Sequence, residues 1–345
     1  MAAIFSVCGG GGGSADYLGF AYVANSDSSN ITQYRINSDG TLTALNPSSV
    51  ATSGFPRSIA ADPAGRYVYV ANGDSDNITQ YGINPDGTLA ALSPPAAAAS
   101  GYTYSVTVAP SGRYVYAANA NQVNQYGVNP DGTLSALSPA GVASTYQPES
   151  VAVDPAGRFV YVANADSYRI NQYSIDDIDG TLSALTPYAI AASSNPKSVA
   201  VDSSGQYVYV ANADQINQYG IDGGDGTLSA LSPYAAVADT FPTSIALHPS
   251  DPFVYVSNGG SDNITQYEID TVDGTLTALS PPSVAASDYP YSVVVDPTGR
   301  YVYAANDGSD NITLYGINPD GTLYTLSQSS IATSLGPRAI VCVGR

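Results

Sequence analysis

The chain has 345 residues, 44% hydrophobic and only 11% charged, and 29 Asp and Glu against 10 Lys and Arg leave a net charge of −19. A surface that negative repels phosphate backbones and anionic headgroups, which excludes nucleic acid as a partner. No apolar run reaches the roughly 18 residues of a transmembrane helix, and two cysteines do not make a disulfide framework.

The first segment, residues 1–14, holds "FSVCGGGGGS" and reads as an appendage outside the folded domain. The cysteine followed by glycines resembles the end of a bacterial lipoprotein signal, with Cys8 as the lipidated residue. Val7 stands where a small residue is usual, and no Lys or Arg precedes Arg35. A secretory signal has a basic start and a longer apolar core, as expected if the natural chain begins further upstream. A second reading makes "AAIFSV" (2–7) a strand on a glycine leash, Gly9 to Gly13, that adds to a sheet edge of a neighbouring molecule and so builds a fibre. The third reading is a disordered tail. Residues 1–8 are thus expected to provide self-association or attachment to a surface partner.

From residue 15 onward the chain repeats itself. "YVAN" or a close variant begins at Tyr22, Tyr69, Tyr116, Tyr161, Tyr209, Tyr255 and Tyr303, at spacings of 45 to 48 residues. The unit at 56–95 reads "PRSIAADPAGRYVYVANGDSDNITQYGINPDGTLAALSPP". Four strands fit it: "SIAAD", "YVYVAN", "NITQYGI" and "TLAALS", each β-branched, aromatic or alternating. "DPAG" and "NPDG" are tight turns with Pro and Gly where the backbone needs them. No window carries a 3.6-residue apolar period. Four antiparallel strands repeated seven times predict an all-β, seven-bladed β-propeller over 15–345, whose tyrosines are expected to bury their rings and keep their hydroxyls near solvent.

The first unit lacks an inner strand, because the place of "SIAAD" falls on Gly12, Gly13, Ser14 and Ala15. The last unit, "PRAIVCV" (337–343), is an inner strand with nothing after it. The ring is therefore expected to close by residues 339–343 completing the blade that contains 20–45.

The "YVYVAN…NITQYGINPDGTL" unit with its "PRSIAADPAGR" resembles the YVTN-type and lactonase-like propellers, a family that includes 6-phosphogluconolactonases and a muconate-cyclising relative. The resemblance covers about 15–345. It implies a pocket at one mouth of the channel that uses arginine with histidine or glutamate. The family's "PR" is matched by Pro56-Arg57 and Pro337-Arg338, and its "HP" by His248-Pro249.

One face of the ring, with loops "DPAGR" and "PDGTL", is uniform. The other carries the variation. The residues opening the inner strands are Arg57, Tyr104, Glu149, Lys197, Thr243, Tyr291 and Arg338, and they are expected to ring the channel mouth. They read either as a pocket for a carbohydrate or small anionic ligand, with arginines as bidentate donors, or as solvated rim residues with Glu149 paired to a neighbour. Arg57, Glu149, Lys197 and Arg338 are the candidates for chemistry. His248 takes the place of Asp62, Asp154, Asp202 and Asp296 on the uniform face, a strand length from the arginines, so it reads as a turn residue. The loops holding Asp74, Asp76, Asp262, Asp307 and Asp310 offer oxygens that suit calcium, or are ordinary turns. "NIT" at Asn30, Asn77, Asn263 and Asn311 matches a glycosylation sequon. Tyr102, Tyr146, Tyr188, Tyr234 and Tyr289 near the blade-to-blade loops are placed to stack on sugars or to pack. Cys342 reads as a buried small hydrophobe or as a disulfide partner of Cys8 or of a neighbouring subunit.

Taken together, these features point to an exported propeller on the cell surface that acts as a scaffold or binding module. The alternatives are a lactonase-like hydrolase at the channel mouth and a metal-stabilised adhesin.

Overall fold

A computed structural model describes residues 17–345, and among these it has 28 strands in seven four-stranded antiparallel sheets and no helix. Residues 1–14, including Cys8, lie outside the described residues. In blade 2 the strands, from channel to rim, are Pro56–Ala61, Tyr67–Asn72, Asn77–Ile83 and Leu89–Ala98. The turns follow the chemistry of their residues. Asp86 Oδ1 accepts from the Thr88 amide at 3.0 Å and its hydroxyl at 2.7 Å, and Gly87 turns the chain at a φ of 87°. A Cβ on Gly87 would lie 2.1 Å from the Phe20 ring of blade 1, so only glycine fits.

The fourth strands are longer than the pattern "TLAALS" suggests. The outermost strand of blade 2 continues past Pro94 to Ala98, because an edge strand tolerates proline. The register slips between Thr79 and Tyr81, and Gln80 reaches out of the slip: its Nε2 donates to the Pro94 carbonyl at 2.9 Å and its Oε1 accepts from Leu134 N of blade 3 at 2.7 Å.

Each seam between blades carries three bonds, the same in six of the seven seams. Tyr22, Tyr69, Tyr116, Tyr161, Tyr209, Tyr255 and Tyr303 are fully buried. Each donates its hydroxyl to a glycine carbonyl of the next blade at 2.7 to 2.9 Å. In return Tyr34, Tyr81, Tyr126, Tyr173, Tyr219, Tyr267 and Tyr315 donate to carbonyls ending the previous blade's outer strand, from Tyr81 to Ala51 O at 2.7 Å for example. The expectation that these hydroxyls stay near solvent is thus corrected: the interior holds acceptors that satisfy them. Burial raises their pKa, for Tyr267 to about 12. The glutamine clip is the third bond.

The ring closes as its ends require. Pro337–Gly344 pairs antiparallel with Tyr17–Asn25, from Gly19 opposite Gly344 to Asn25 opposite Pro337, and the remaining strands of that blade are Asn30–Asn37 and Leu42–Ala51. At this seam the clip changes hands. Blade 7 has Leu314 where the other blades have glutamine, and Gln328 of its outer strand accepts from Leu42 N at 2.8 Å instead.

Deleting residues 337–345 removes the inner strand of blade 1 and exposes an unpaired edge. The truncated chain is expected to lose its single cooperative transition in calorimetry, and an unchanged melt would contradict this closure. A second expectation concerns acid. Asp39, Asp86, Asp131, Asp179, Asp225, Asp273 and Asp320 are held below the ordinary aspartate pKa by the hydroxyl and amide of the threonine two residues on. A depressed carboxyl stabilises the fold fully above its unfolded pKa of about 3.9, and that contribution is lost as pH falls through the folded value. The melting temperature is therefore expected to hold near neutrality and to fall on acidification below about pH 4, whereas a profile flat down to about pH 2 would refute it.

Candidate functional site at the channel mouth

The mouth is built by the linkers between blades. Six of them end in a left-handed residue directly before the proline that leads into an inner strand: Phe55, Gln147, Asn195, Phe241, Tyr289 and Gly336, with φ between 51° and 72°. Five of these are not glycine, an uncommon conformation that holds the linkers in sharp bends over the channel. In blade 3 the left-handed residue is Gly101, one position earlier, and Thr103 replaces the proline.

The next position inward is the rim, and all seven rim residues line one cavity of about 410 Å³. Phe241 and Tyr289 line its upper wall, and Ser58, Ser105, Ser150, Ser198, Ser244, Ser292 and Ala339 its floor. Four of the serines accept from the next inner strand, from Ser58 to Val106 N at 3.2 Å through Ser198 to Ile245 N at 3.2 Å.

The ionisable rim residues converge although their blades are apart. Arg57 of blade 2 reaches Glu149 Oε2 of blade 4 at 3.4 Å, the Tyr291 hydroxyl of blade 7 at 3.1 Å and the Tyr102 hydroxyl at 3.2 Å. Its guanidinium lies over the rings of Tyr102 and Tyr104. Tyr291 and Glu149 hold it protonated against the desolvation of its site. Lys197, the one lysine of the chain, donates to Glu149 Oε1 at 3.1 Å. Arg338 pairs with Asp307 at 3.2 Å, stacks on Tyr291 and Phe55, and has a buried Nε without a partner. Burial raises the Asp307 carboxyl, and Arg338 opposes that shift. Thr243 is spoken for: its hydroxyl donates to the Pro290 carbonyl at 2.8 Å. The result is two cations on one nearly buried carboxylate, with a third cation, Arg338, paired to Asp307 in the same cavity, a set that can hold an anion or polarise a carbonyl while an oxygen base stands beside it.

The model of the family described as "Lactonase, 7-bladed beta-propeller" matches residues 17–103, 88–193 and 187–342. The chain belongs to this lactonase family. Among solved structures, this family member is similar to a protein of Bacteroides fragilis provisionally named a 6-phosphogluconolactonase (18% identity, TM-score 0.81, 96% of this chain and 100% of that one). It is also similar to a like-named protein of Bacteroides uniformis (20%, 0.79, 95% and 100%), and to the periplasmic gluconolactonase of Pseudomonas aeruginosa (19%, 0.76, 95% and 99%). No curated protein matches it by sequence.

The lactonase-family propeller keeps its histidine away from this mouth. His248 is buried on the uniform face. Its Nδ1 accepts from Asp251 N at 2.9 Å, which leaves Nε2–H to donate to the Gly299 carbonyl at 2.7 Å. The loop acids are spread: Asp262 accepts from Tyr289 N and Asp310 from Gly336 N, each at 2.9 Å, while Asp307 faces Arg338. Asp74 and Asp76 stand in the equivalent loop of blade 2. Among the described residues no three acidic, histidine or cysteine side chains come together. The sequon asparagines accept from the asparagine ending the preceding strand, Asn77 from Asn72 at 2.9 Å for instance, so their side chains close the loop. Tyr188 and Tyr234 lie in outer strands, not in the linkers, and pack edge-on against Tyr173 and Tyr219. Cys342 pairs across to Ala21 and packs against the core between blades 7 and 1, where burial raises its thiol pKa.

The aromatic collar of Phe55 and Phe241 and the Asp307–Arg338 pair escape a reading of the rim position alone. The signal for the collar was in the sequence, as the residue before each linker proline.

Glu149 is 7% exposed, against 15% for Arg57 and 24% for Lys197. Replacing it by glutamine leaves two cations facing each other without a counter-charge. Glu149→Gln is expected to cost about 1–3 kcal/mol, with part of the loss recovered in millimolar sulfate. Chemical denaturation with and without sulfate checks this, and unchanged stability would mean that the cations do not depend on Glu149.

Proposed function

We propose that the chain is an exported hydrolase that opens a sugar lactone at this mouth. The observation that carries the reading is the convergence of Arg57, Lys197 and Glu149 at the channel mouth of a lactonase-family propeller. A lactone needs a base to deprotonate water and donors for the oxygen that becomes negative when water adds. Glu149 has lone pairs left after its bonds to Arg57 and Lys197, so it takes the water proton. Arg57 and Lys197 hold the developing oxyanion. The ring C–O bond then breaks, the proton on Glu149 passes to the departing alkoxide, and the product is the open hydroxy acid. Arg338, fixed by Asp307 and stacked on Tyr291, is placed to hold a hydroxyl or anionic group of the sugar. The periplasmic setting of the P. aeruginosa relative supports export. Family membership favours hydrolysis over the surface scaffold, whose attachment rests on residues 1–8, outside the described part of the chain.

The test follows acid release from δ-gluconolactone and 6-phosphogluconolactone. The folded protein is expected to exceed the spontaneous rate on at least one of them. Glu149→Gln should lower kcat by about 10²–10⁴, and Arg57→Ala and Arg338→Ala should lower kcat/KM. A folded protein that adds nothing to the spontaneous rate on either lactone would overturn the proposal.

A further inference from the structure

The tyrosines near the linkers divide by role. Tyr102 and Tyr289 belong to the mouth, and Tyr188 and Tyr234 to the packing of outer strands. Tyr146 is left, 75% exposed in the linker between blades 3 and 4. Its position is held by Gly54, Ser194, Thr240 and Asp288 in other linkers, and by the exposed Leu335 in the last. The loop beside it departs from the repeat as well. Where other blades have Asp76-Asn77, Asp262-Asn263 and Asp310-Asn311, blade 4 has Tyr168-Arg169, and Tyr168 is 52% exposed. Two adjoining loops have thus each exchanged a small or polar turn residue for a solvent-facing tyrosine.

Tyr146 lines a groove of about 430 Å³, separate from the mouth, together with Asn121, Ser144, Thr145, Ser167 and Arg169, and Tyr168 stands between the last two. The groove is braced. Ser167 donates to the Thr145 hydroxyl at 2.8 Å, and Thr145 and Ser144 donate to the buried Asn171 at 3.1 and 2.9 Å. Gln147, with its amide nitrogen toward Asp166, ties linker to loop at 2.8 Å.

The lining selects the ligand. It has no aliphatic side chain, which argues against an acyl chain or the apolar face of a helix. One arginine on a chain of net charge −19 does not hold a polyanion. What matches rigid, amphipathic rings among hydroxyl and amide groups is a ligand with C–H faces and hydroxyl edges. We infer that the groove between blades 3 and 4 binds a neutral oligosaccharide, with Tyr146 as the stacking platform, Arg169 as a hydrogen-bond donor and the exposed Tyr168, between the lining residues Ser167 and Arg169, as a second ring at its edge. This site acts independently of the mouth and would hold the propeller on a glycan.

The experiment titrates the full chain with maltohexaose, cellohexaose and chitohexaose by isothermal calorimetry. At least one is expected to bind in the millimolar range or tighter. The double variant Tyr146→Ala, Tyr168→Ala should weaken that binding at least tenfold with an unchanged melting temperature, because neither ring is buried, while Arg57→Ala leaves it unaltered. Three results overturn the inference: no binding of any of the three sugars by the unmodified chain, equal binding by the double variant, or loss of binding in Arg57→Ala, which would assign the sugar to the mouth.

Discussion

A ring of seven blades is held by its seams, and here every seam is closed by buried tyrosine hydroxyls and a glutamine bonded to the backbone of a neighbouring blade. The apolar side chains between blades supply most of the burial, but apolar contact does not fix how one blade sits against the next. The tyrosines do, because a buried hydroxyl left without an acceptor costs about 1–3 kcal/mol. Tyr22 is satisfied only when Gly87 O lies 2.7 Å away, and Tyr81 only when Ala51 O does. Two reciprocal bonds of that kind, one toward each end of the seam, set its angle. Fourteen of the 28 tyrosines serve in this way, which accounts for a tyrosine content that composition alone leaves unexplained.

The seam at blades 7 and 1 shows that the bond matters rather than the residue position. With Leu314 in the glutamine slot, Leu42 N would meet no acceptor there. Gln328 supplies one from the neighbouring strand, at the place where the other blades carry proline. None of these seam bonds uses the residue that opens an inner strand. That position can therefore hold Arg, Tyr, Glu, Lys or Thr without disturbing the ring, and the serine behind it keeps the inner strands tied. The scaffold and the mouth are separable within each repeat.

That separation explains what was legible in the sequence. The blade count, the closing strand and the rim positions follow from periodicity, since each is a question of register. The pairing of Arg57 with Glu149 does not, because it joins blades 2 and 4 across the channel, and no spacing along the chain encodes a distance across a ring. The groups spread over different blades in the sequence are the ones the channel gathers. The acceptors of the buried hydroxyls are hidden for a related reason: they are backbone carbonyls 28 to 30 or 63 to 66 residues away, and further at the closing seam, invisible to side-chain pattern. The outer strands were read short because proline signals an end, whereas at a blade's edge it does not interrupt the ladder.

The charge of the molecule fits the proposed chemistry in a way that neither the mouth nor the surface shows alone. Three of the ten cationic side chains meet at the mouth, while the seven aspartates of the "DGT" turns lie on the opposite face, tied to their threonines as parts of the turns. Beyond a Debye length of about 8 Å the mouth is screened, so the cations act by contact and contribute little to long-range steering. An uncharged lactone approaches without resistance from a net charge of −19. The hydrolysis proposed above would create a carboxylate inside the mouth. In that proposal the carboxylate meets Glu149 again once the proton has left it, and the acidic chain offers no long-range attraction that would draw the departed product back.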